Sequence, residues 1–387
     1  MIVDARVRAW VRLQSSGVPA RWLVALLRAF GGPEAVLAAN PSQRRRVVPP
    51  EIAQSLEAPN EVARFDATLA LEAPNEVARF DATLAWLAAD GHNLVAWDDA
   101  DYPPSLLEIG DPPAALFCLG RRDLLRRPAM AIVGSRNATP QGRADAEAFA
   151  AALSSTGLTI VSGLAVGIDA AAHRGGLAHA GSSIAVVGTG LDRVYPAANR
   201  ALAHDLAQRG LIVSEYAPGT PARKHHFPRR NRLISGLARG VLVVEATLSS
   251  GSLTTARLAG EHGREVFALP GSIHSPFSKG CHKLLREGAK LVETADDILC
   301  ELKLPPTRAA AAAGVEPEAE VDNTQRAILS ALGYAPMNVD ALATRCGLAP
   351  AAISAALTAL ELDGRVALVP GGLWQRLHGT TGTASRA

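Results

Sequence analysis

The 387-residue sequence carries almost no net charge: 39 Lys and Arg stand against 37 Asp and Glu, a formal balance of +2. Overall charge therefore announces no nucleic-acid partner, and any basic surface must come from local clustering. Cysteine is scarce. Cys118, Cys281, Cys300 and Cys346 lie far apart without a C-x-x-C pair, which argues against a zinc ribbon, a redox motif or a disulfide framework and points to a reducing compartment. No apolar run approaches the roughly 18 residues of a membrane span. The first residues, Met1 to Arg8, lack the basic stub and apolar stretch of an export signal, so a cytoplasmic protein with no membrane span is expected. A G-x-x-x-x-G-K-[ST] loop is absent, and the one approach to G-x-G-x-x-G, at Gly188 and Gly190, breaks at Arg193. A conventional P-loop or dinucleotide site is disfavoured.

What the sequence does hold is an apolar fraction of 48%, over a length that allows at least one full core. Residues 1–97 place apolar side chains at helical spacing (Trp10 and Leu13, then Trp22, Leu23, Leu26, Leu27 and Phe30), broken by Gly-Gly and Pro-Pro pairs. A small helical domain is expected. Inside it Leu56–Ala70 recurs without a change as Leu71–Ala85. Structural repeats diverge and come in threes or more, so one perfect copy reads as a recent duplication or an assembly artefact. Fifteen residues at about 100° each turn the following stripe by about 60°, and both copies cannot bury one face alike. One copy is expected in an exposed excursion or an extended helix, with Pro59 and Pro74 each starting a helical turn.

Over residues 98–302 the pattern changes to short apolar runs between amphipathic helices: Ala129–Val133, Leu158–Val161, Ser183–Val187, Leu211–Val213, Val241–Val244 and Glu265–Ala268. Runs without alternation are buried on both faces, as in a parallel sheet covered by helices. The expected class is α/β: a doubly wound, mainly parallel, extended Rossmann-like sheet. Residues 303–320, with Pro305, Pro306, an Ala run and three Glu, read as a linker. In residues 321–377, helical stretches at Thr324–Leu332, Val339–Cys346 and Pro350–Leu362 precede two short strands around Gly371-Gly372, the order of a winged helix. Residues 378–387 read as a disordered tail.

Ligands of open α/β sheets bind beyond the carboxyl ends of the strands. The turns there are Gly134-Ser135-Arg136, Ser162-Gly163 through Gly167-Ile168-Asp169, Gly188-Thr189-Gly190, Ser214-Glu215, Glu245 to Gly251-Ser252, and Pro270-Gly271. Any one of them is explained by a tight connection. Side by side they suggest a phosphate-bearing ligand approached by backbone N–H groups. The sharpest local signal is Arg223-Lys224-His225-His226-Phe227-Pro228-Arg229-Arg230-Asn231-Arg232, five cations with no acid. Clustered cations suit phosphates, and Phe227 offers a face on which a single-stranded base can stack; the plainer alternative is a solvated loop or helix cap. Arg136 and Arg257 are candidates to extend the basic strip. His173, His179, His204 and His262 lack metal-ligand spacing and read as core or surface residues.

The series Gly134-Ser135-Arg136, Ser162-Gly163-x-Ala165-x-Gly167-Ile168-Asp169, Tyr195-Pro196-x-x-Asn199, Glu215, Phe227-Pro228-x-Arg230-Asn231-Arg232, Val244-Glu245-Ala246, Ser250-Gly251-Ser252 and Leu269-Pro270-Gly271 resembles the DprA/Smf family, DNA-processing proteins of natural transformation. The resemblance spans roughly residues 98–298, and the flanking segments suit the sterile-alpha-motif-like and winged-helix-like domains that members often carry. It implies a homodimer that binds and protects single-stranded DNA and helps load the recombinase RecA in place of single-strand-binding protein. Carried over by position, the DNA site is Arg136, Ser162, Gly163, Gly167, Lys224, Phe227, Arg230, Asn231 and Arg232, with Gly134, Ser135, Gly251 and Ser252 in the adjoining turns. No catalytic residue, metal or cofactor is implied. Glu215 and Glu245 are expected to hold Arg230 or Arg232 in place.

Two rival readings remain. One is a nucleotide-phosphate-binding, phosphoribohydrolase-like enzyme, in which the turn at Ser249–Thr254 would bind phosphate; Arg257 then stands where the catalytic Glu would be, removing the acid and adding a cation. The other is a duplex-DNA regulator acting through the winged helix, which is weakened because Ala349–Leu362 carries no Arg or Lys.

Overall fold

The computed structural model describes residues 4–56, 73–307, 322–332, 336–369 and 371–377. Its centre is a nine-stranded sheet of β1 (His92–Ala96), β2 (Ala115–Gly120), β3 (Ala129–Val133), β4 (Thr159–Ser162), β5 (Ser183–Val187), β6 (Leu211–Ser214), β7 (Gly240–Val243), β8 (Glu265–Ala268) and β9 (Lys290–Leu291), ordered β1-β2-β6-β5-β4-β3-β7-β8-β9 in space. From β6 across to β9 all neighbours are parallel, whereas β2 runs antiparallel to both β1 and β6. The chain winds outward from β3 through β4, β5 and β6, then returns to β7 on the other side of β3. The switch point therefore lies between the carboxyl ends of β3 and β7.

The apolar runs became strands because both of their faces are covered. In β3, Ala129, Ala131 and Val133 join the core on one side of the sheet, and Met130 and Ile132 the core on the other. The two-residue period survives, but both sets are apolar. β1 and β2, which were not anticipated, extend the sheet antiparallel, and β9 is only two residues long.

The N-terminal helices are α1 (Ala5–Ser15), α2 (Ala20–Phe30), α3 (Pro33–Ala38), α4 (Pro41–Arg44), α5 (Pro50–Gln54) and α6 (Ala73–Leu87). They share a core with the sheet: Trp10, Leu13, Leu23, Leu26 and Leu27 pack with Ala96, Ala114 and Ala115. The boundary drawn at residue 97 thus falls just behind a strand of that sheet. Helices α7 (Pro140–Ser155), α8 (Ile168–Leu177), α9 (Arg200–Arg209), α10 (His226–Leu237), α11 (Ser252–Glu261), α12 (Lys279–Arg286) and α13 (Ala295–Glu301) complete the α/β unit. α7 and α8 feed Ala146, Ala150, Leu153 and Ile168 into one core, and α10 and α11 feed Leu233, Ile234, Leu237 and Ala256 into the other.

At the C-terminus, α14 (Asn323–Leu332), α15 (Val339–Cys346) and α16 (Pro350–Leu362) precede the hairpin of β10 (Val366–Val369) and β11 (Leu373–Arg376). Ile328, Leu332, Leu342, Ile353, Leu357, Leu360 and Val366 form their common core, in the winged-helix order. Among the described residues no single helix is long and apolar enough to cross a membrane. The linker beyond residue 307 and the tail from 378 lie outside the described residues.

Pro74 stands in the first turn of α6, so the second copy of the duplicated segment does start a helix there. Leu84 and Leu87 of that helix are buried with Val11 and Phe117. Pro59, and the excursion expected for one copy, lie outside the described residues. Because the copies are identical, removing either gives the same chain, in which the survivor supplies the α6 sequence. Deleting residues 71–85 is expected to leave the thermal midpoint within about 3 °C, the shift that roughly 1 kcal/mol produces in a chain of this size. A larger fall would show that the connection from Leu56 to α6 needs its present length.

Candidate functional site

Beyond the carboxyl ends of β3 and β7, at the switch point, lies a cavity of about 670 Å³. The turn after β3, the turn after β7 and the start of α10 wall it. Phe227, Asn231 and Ile234 are spaced i, i+4, i+7 on α10 and all face it. Opposite them, the exposed ring of Tyr195 approaches Phe227 at 5.5 Å between centroids, tilted by 38°. The Arg136 guanidinium lies 6.0 Å from the Phe227 ring centre, within cation–π range. Lys224 is exposed on the rim and makes no ion pair, and the Asn231 amide makes no side-chain hydrogen bond, among the described residues. A flat ring, free cations and a free amide thus line one hollow.

Beneath the cavity a buried polar network fixes the turns. The Arg230 side chain runs inward and donates from Nη1 to the carbonyls of Gly163, at 2.7 Å, and of Val186. Asp169 accepts N–H bonds from Gly163 at 3.1 Å and Ala165 at 3.3 Å. Burial raises the Asp169 carboxyl pKa against the pull of Arg230, and burial lowers the Arg230 guanidinium to about 10 against the pull of Asp169. The Leu164 N–H donates to Nε2 of His173, whose Nδ1–H therefore donates to the Ser183 hydroxyl at 2.7 Å. Gly167 has φ +82°, and a Cβ there would fall 2.6 Å from the Arg136 carbonyl oxygen; only glycine lets this loop lie against the turn that carries Arg136.

Of the residues expected in the site, Gly134, Ser135, Arg136, Lys224, Phe227, Arg230, Asn231, Gly251 and Ser252 line the cavity together. Ser162, Gly163, Gly167 and Arg232 do not. Ser162 spends its hydroxyl on the Ile132 carbonyl at 2.7 Å, and the two glycines shape the floor. Arg232 is one residue, about 100° of helix, past Asn231, and this carries it to another face. There it is 7% exposed and held by Glu215 at 2.7 Å and Asp111 at 3.3 Å. Arg229 also leans on Glu215, at 3.6 Å, so the cluster that is free of acids in sequence is not free of them in space. Glu245 holds no arginine of the cluster. Its carboxylate accepts from the Thr139 hydroxyl at 2.6 Å and N–H at 2.9 Å, securing the start of α7. Arg257 pairs with Glu261 along α11, outside the cavity, and does not extend the basic strip. Tyr195, Asn137, Thr247, Ser249 and Phe277 also line the cavity. Of these, Tyr195 had a sequence signal, an aromatic before proline in a glycine-rich turn.

With this geometry in view, comparison with known proteins is decisive. The family described as DNA recombination-mediator protein A matches residues 93–303, and the DprA winged helix domain matches residues 305–372. The chain belongs to the DprA/Smf family. It is 36% identical to a putative DNA processing protein DprA of Mycobacterium tuberculosis, over 99% of this chain and 98% of that one. Protein Smf of Escherichia coli is 42% identical over 74% of this chain and 78% of its own length. The solved structure of DprA from Streptococcus pneumoniae superposes with a TM-score of 0.63 at 38% identity, covering 75% of this chain and 95% of that one. A structure of DNA processing protein A from Helicobacter pylori, described as giving insight into its unique single-stranded DNA binding mode, matches with a TM-score of 0.50 at 32% identity, covering 55% of this chain and 96% of that one. Family and fold thus agree with the resemblance read from the motifs.

The buried His173 gives the site's scaffold an acid limit. Burial lowers its pKa to about 3, from 6.5, so below pH 6.5 the unfolded chain binds a proton that the native ring refuses. Stability is therefore lost as pH falls from about 6.5 toward 3, by at most about 1.4 kcal/mol per unit from this group. Denaturant titrations at successive pH values should show that slope in the parent and a flatter one in His173→Gln. Equal slopes would remove His173 as its source.

Proposed function

We propose that the protein binds single-stranded DNA in the switch-point cavity, with little sequence preference, and shields the strand. The observation that carries this is the Phe227–Tyr195 ring pair with the unpaired cations Arg136 and Lys224 beside it. Stacking accepts any base because every base has a π-face, and the cations follow the phosphates. The Helicobacter pylori relative named for its single-stranded DNA binding mode supports the reading. An enzyme is not proposed. Asp169, the carboxylate among the cavity's lining residues, is buried and engaged with two backbone N–H groups, and Arg257 stands where the rival reading needs an acid.

The test is fluorescence anisotropy with oligothymidylate and with duplex DNA at several salt concentrations. The two free cations at the cavity, Arg136 and Lys224, give an expected slope of log K against log salt of about −1.4, at roughly −0.7 per phosphate. Lys224→Ala should flatten it by about 0.7, whereas Phe227→Ala should cost about 1–3 kcal/mol of stacking with the slope unchanged. Arg232→Ala should lower stability, since it leaves the largely buried Glu215 with only its longer contact to Arg229, and leave the slope alone. Preference for duplex, or indifference to salt, would overturn the reading.

The finer role rests on the family resemblance. The protein acts in the cytoplasm as a homodimer and passes the strand to RecA in exchange for single-strand-binding protein. Two linked pockets on one strand raise avidity by about 10²–10⁴ over one. RecA assembly on strands coated with single-strand-binding protein is expected to quicken when the protein is added. No acceleration, or sedimentation showing monomers that hold DNA equally well, would remove that role.

A further inference from the structure

A second cavity, of about 430 Å³, opens on the other side of Tyr195, which lines both hollows. Its floor is apolar core: Leu164, Val187, Ala203 and Ile212 belong to the packing of α9 against β5 and β6. Its rim is cationic and hydrogen-bonding, with Arg193, Arg200 and the exposed His204. The one acid among its lining residues, Asp192, is already engaged, holding Arg193 at 3.1 Å and accepting the Gly219 N–H at 2.7 Å. Arg200 makes no ion pair among the described residues. The Tyr195 ring, 51% exposed, forms the ridge between the two hollows and leans toward Phe227 at its back.

We propose that this hollow is a second nucleotide subsite on the same strand: the backbone crosses the Tyr195 ridge, one base rests on the apolar floor, and Arg193 and Arg200 take the flanking phosphates. The size and the mix of apolar floor with few polar groups suit a small planar ligand. The cations at its mouth select one that carries phosphate, and the shared tyrosine connects it to a strand in the first cavity. The inference rests on the proposed single-stranded DNA binding, and it adds that the strand path is longer than one cavity and leaves it in the direction of α9.

The experiment is a length ladder of oligothymidylates, from three to about twelve nucleotides, titrated into the parent and into Arg193→Ala/Arg200→Ala, both shown to be folded by their thermal midpoints. The double variant is expected to lose progressively more affinity as length increases, on the order of tenfold at the long end, and to have a salt slope flatter by about 1.4 there, for two phosphate contacts. His204→Glu, which places a negative charge at the mouth, should show the same length dependence. In parallel, 5-iodouridine placed along a twelve-nucleotide strand should crosslink to the stretch between Arg193 and His204 from a position next to the one that marks Phe227. A parent that gains affinity with length while both variants follow it at every length overturns the second subsite and leaves the first intact. A parent that binds no oligonucleotide overturns the underlying reading and this one with it. If both variants keep DNA affinity but lose binding of a free nucleoside phosphate, the hollow serves a small ligand and the strand proposal is overturned.

Discussion

The arrangement depends on one buried guanidinium. Arg230, 5% exposed, reaches from α10 under the loop after β4 and binds backbone carbonyls at the ends of two adjacent strands, β4 and β5. A charge taken out of water is costly unless it is hydrogen-bonded and partly neutralised, and here the carbonyls and Asp169 provide both. Once that residue is fixed, the helix has no rotational freedom: Phe227 and Asn231 must face the cavity and Arg232 must face Glu215. The same loop is held from its other side by His173 and Asp169, so the cavity's lining rests on a buried polar network beneath it.

Much of this was legible in the sequence, and the limits have physical causes. The six buried strands were readable because covering both faces makes a strand apolar without interruption. β1 was not, since its five residues, His-Asn-Leu-Val-Ala, run on from a segment whose pattern is helical. In the candidate site, the glycine-rich turns and the basic stretch fall at the strand ends that border the cavity. Linear order could not separate cavity-facing cations from structural ones, because a helix distributes neighbours by about 100° each. Arg230 and Arg232 looked alike as charges, yet one is a keystone at the cavity's floor and the other half of an ion pair with Glu215. Glu245 misled for the opposite reason: its position at a strand end suggested an arginine partner, and its actual partner is the first capping residue of α7.

Electrostatics explains how a nearly neutral chain can still present a cationic site. Asp111 and Glu215 neutralise Arg232 on one side of α10, while Arg136 and Lys224 remain unpaired on the other. Charge is thus segregated across a single helix, and the positive field at the cavity comes from the unpaired side, over a range of about 8 Å at physiological salt.

The antiparallel extension at the sheet's end bears on how the molecule can be divided. β2 is paired on one side with β6 and on the other with β1, and the N-terminal helices close over Ala96, Ala114 and Ala115. A fragment beginning at residue 98 would keep β2 but lose its outer neighbour, presenting the backbone of Ala115–Gly120 as an open edge beside an uncovered apolar face. Such an edge is a template for strand addition between molecules. The N-terminal helices therefore keep the apolar face at this end of the sheet out of water.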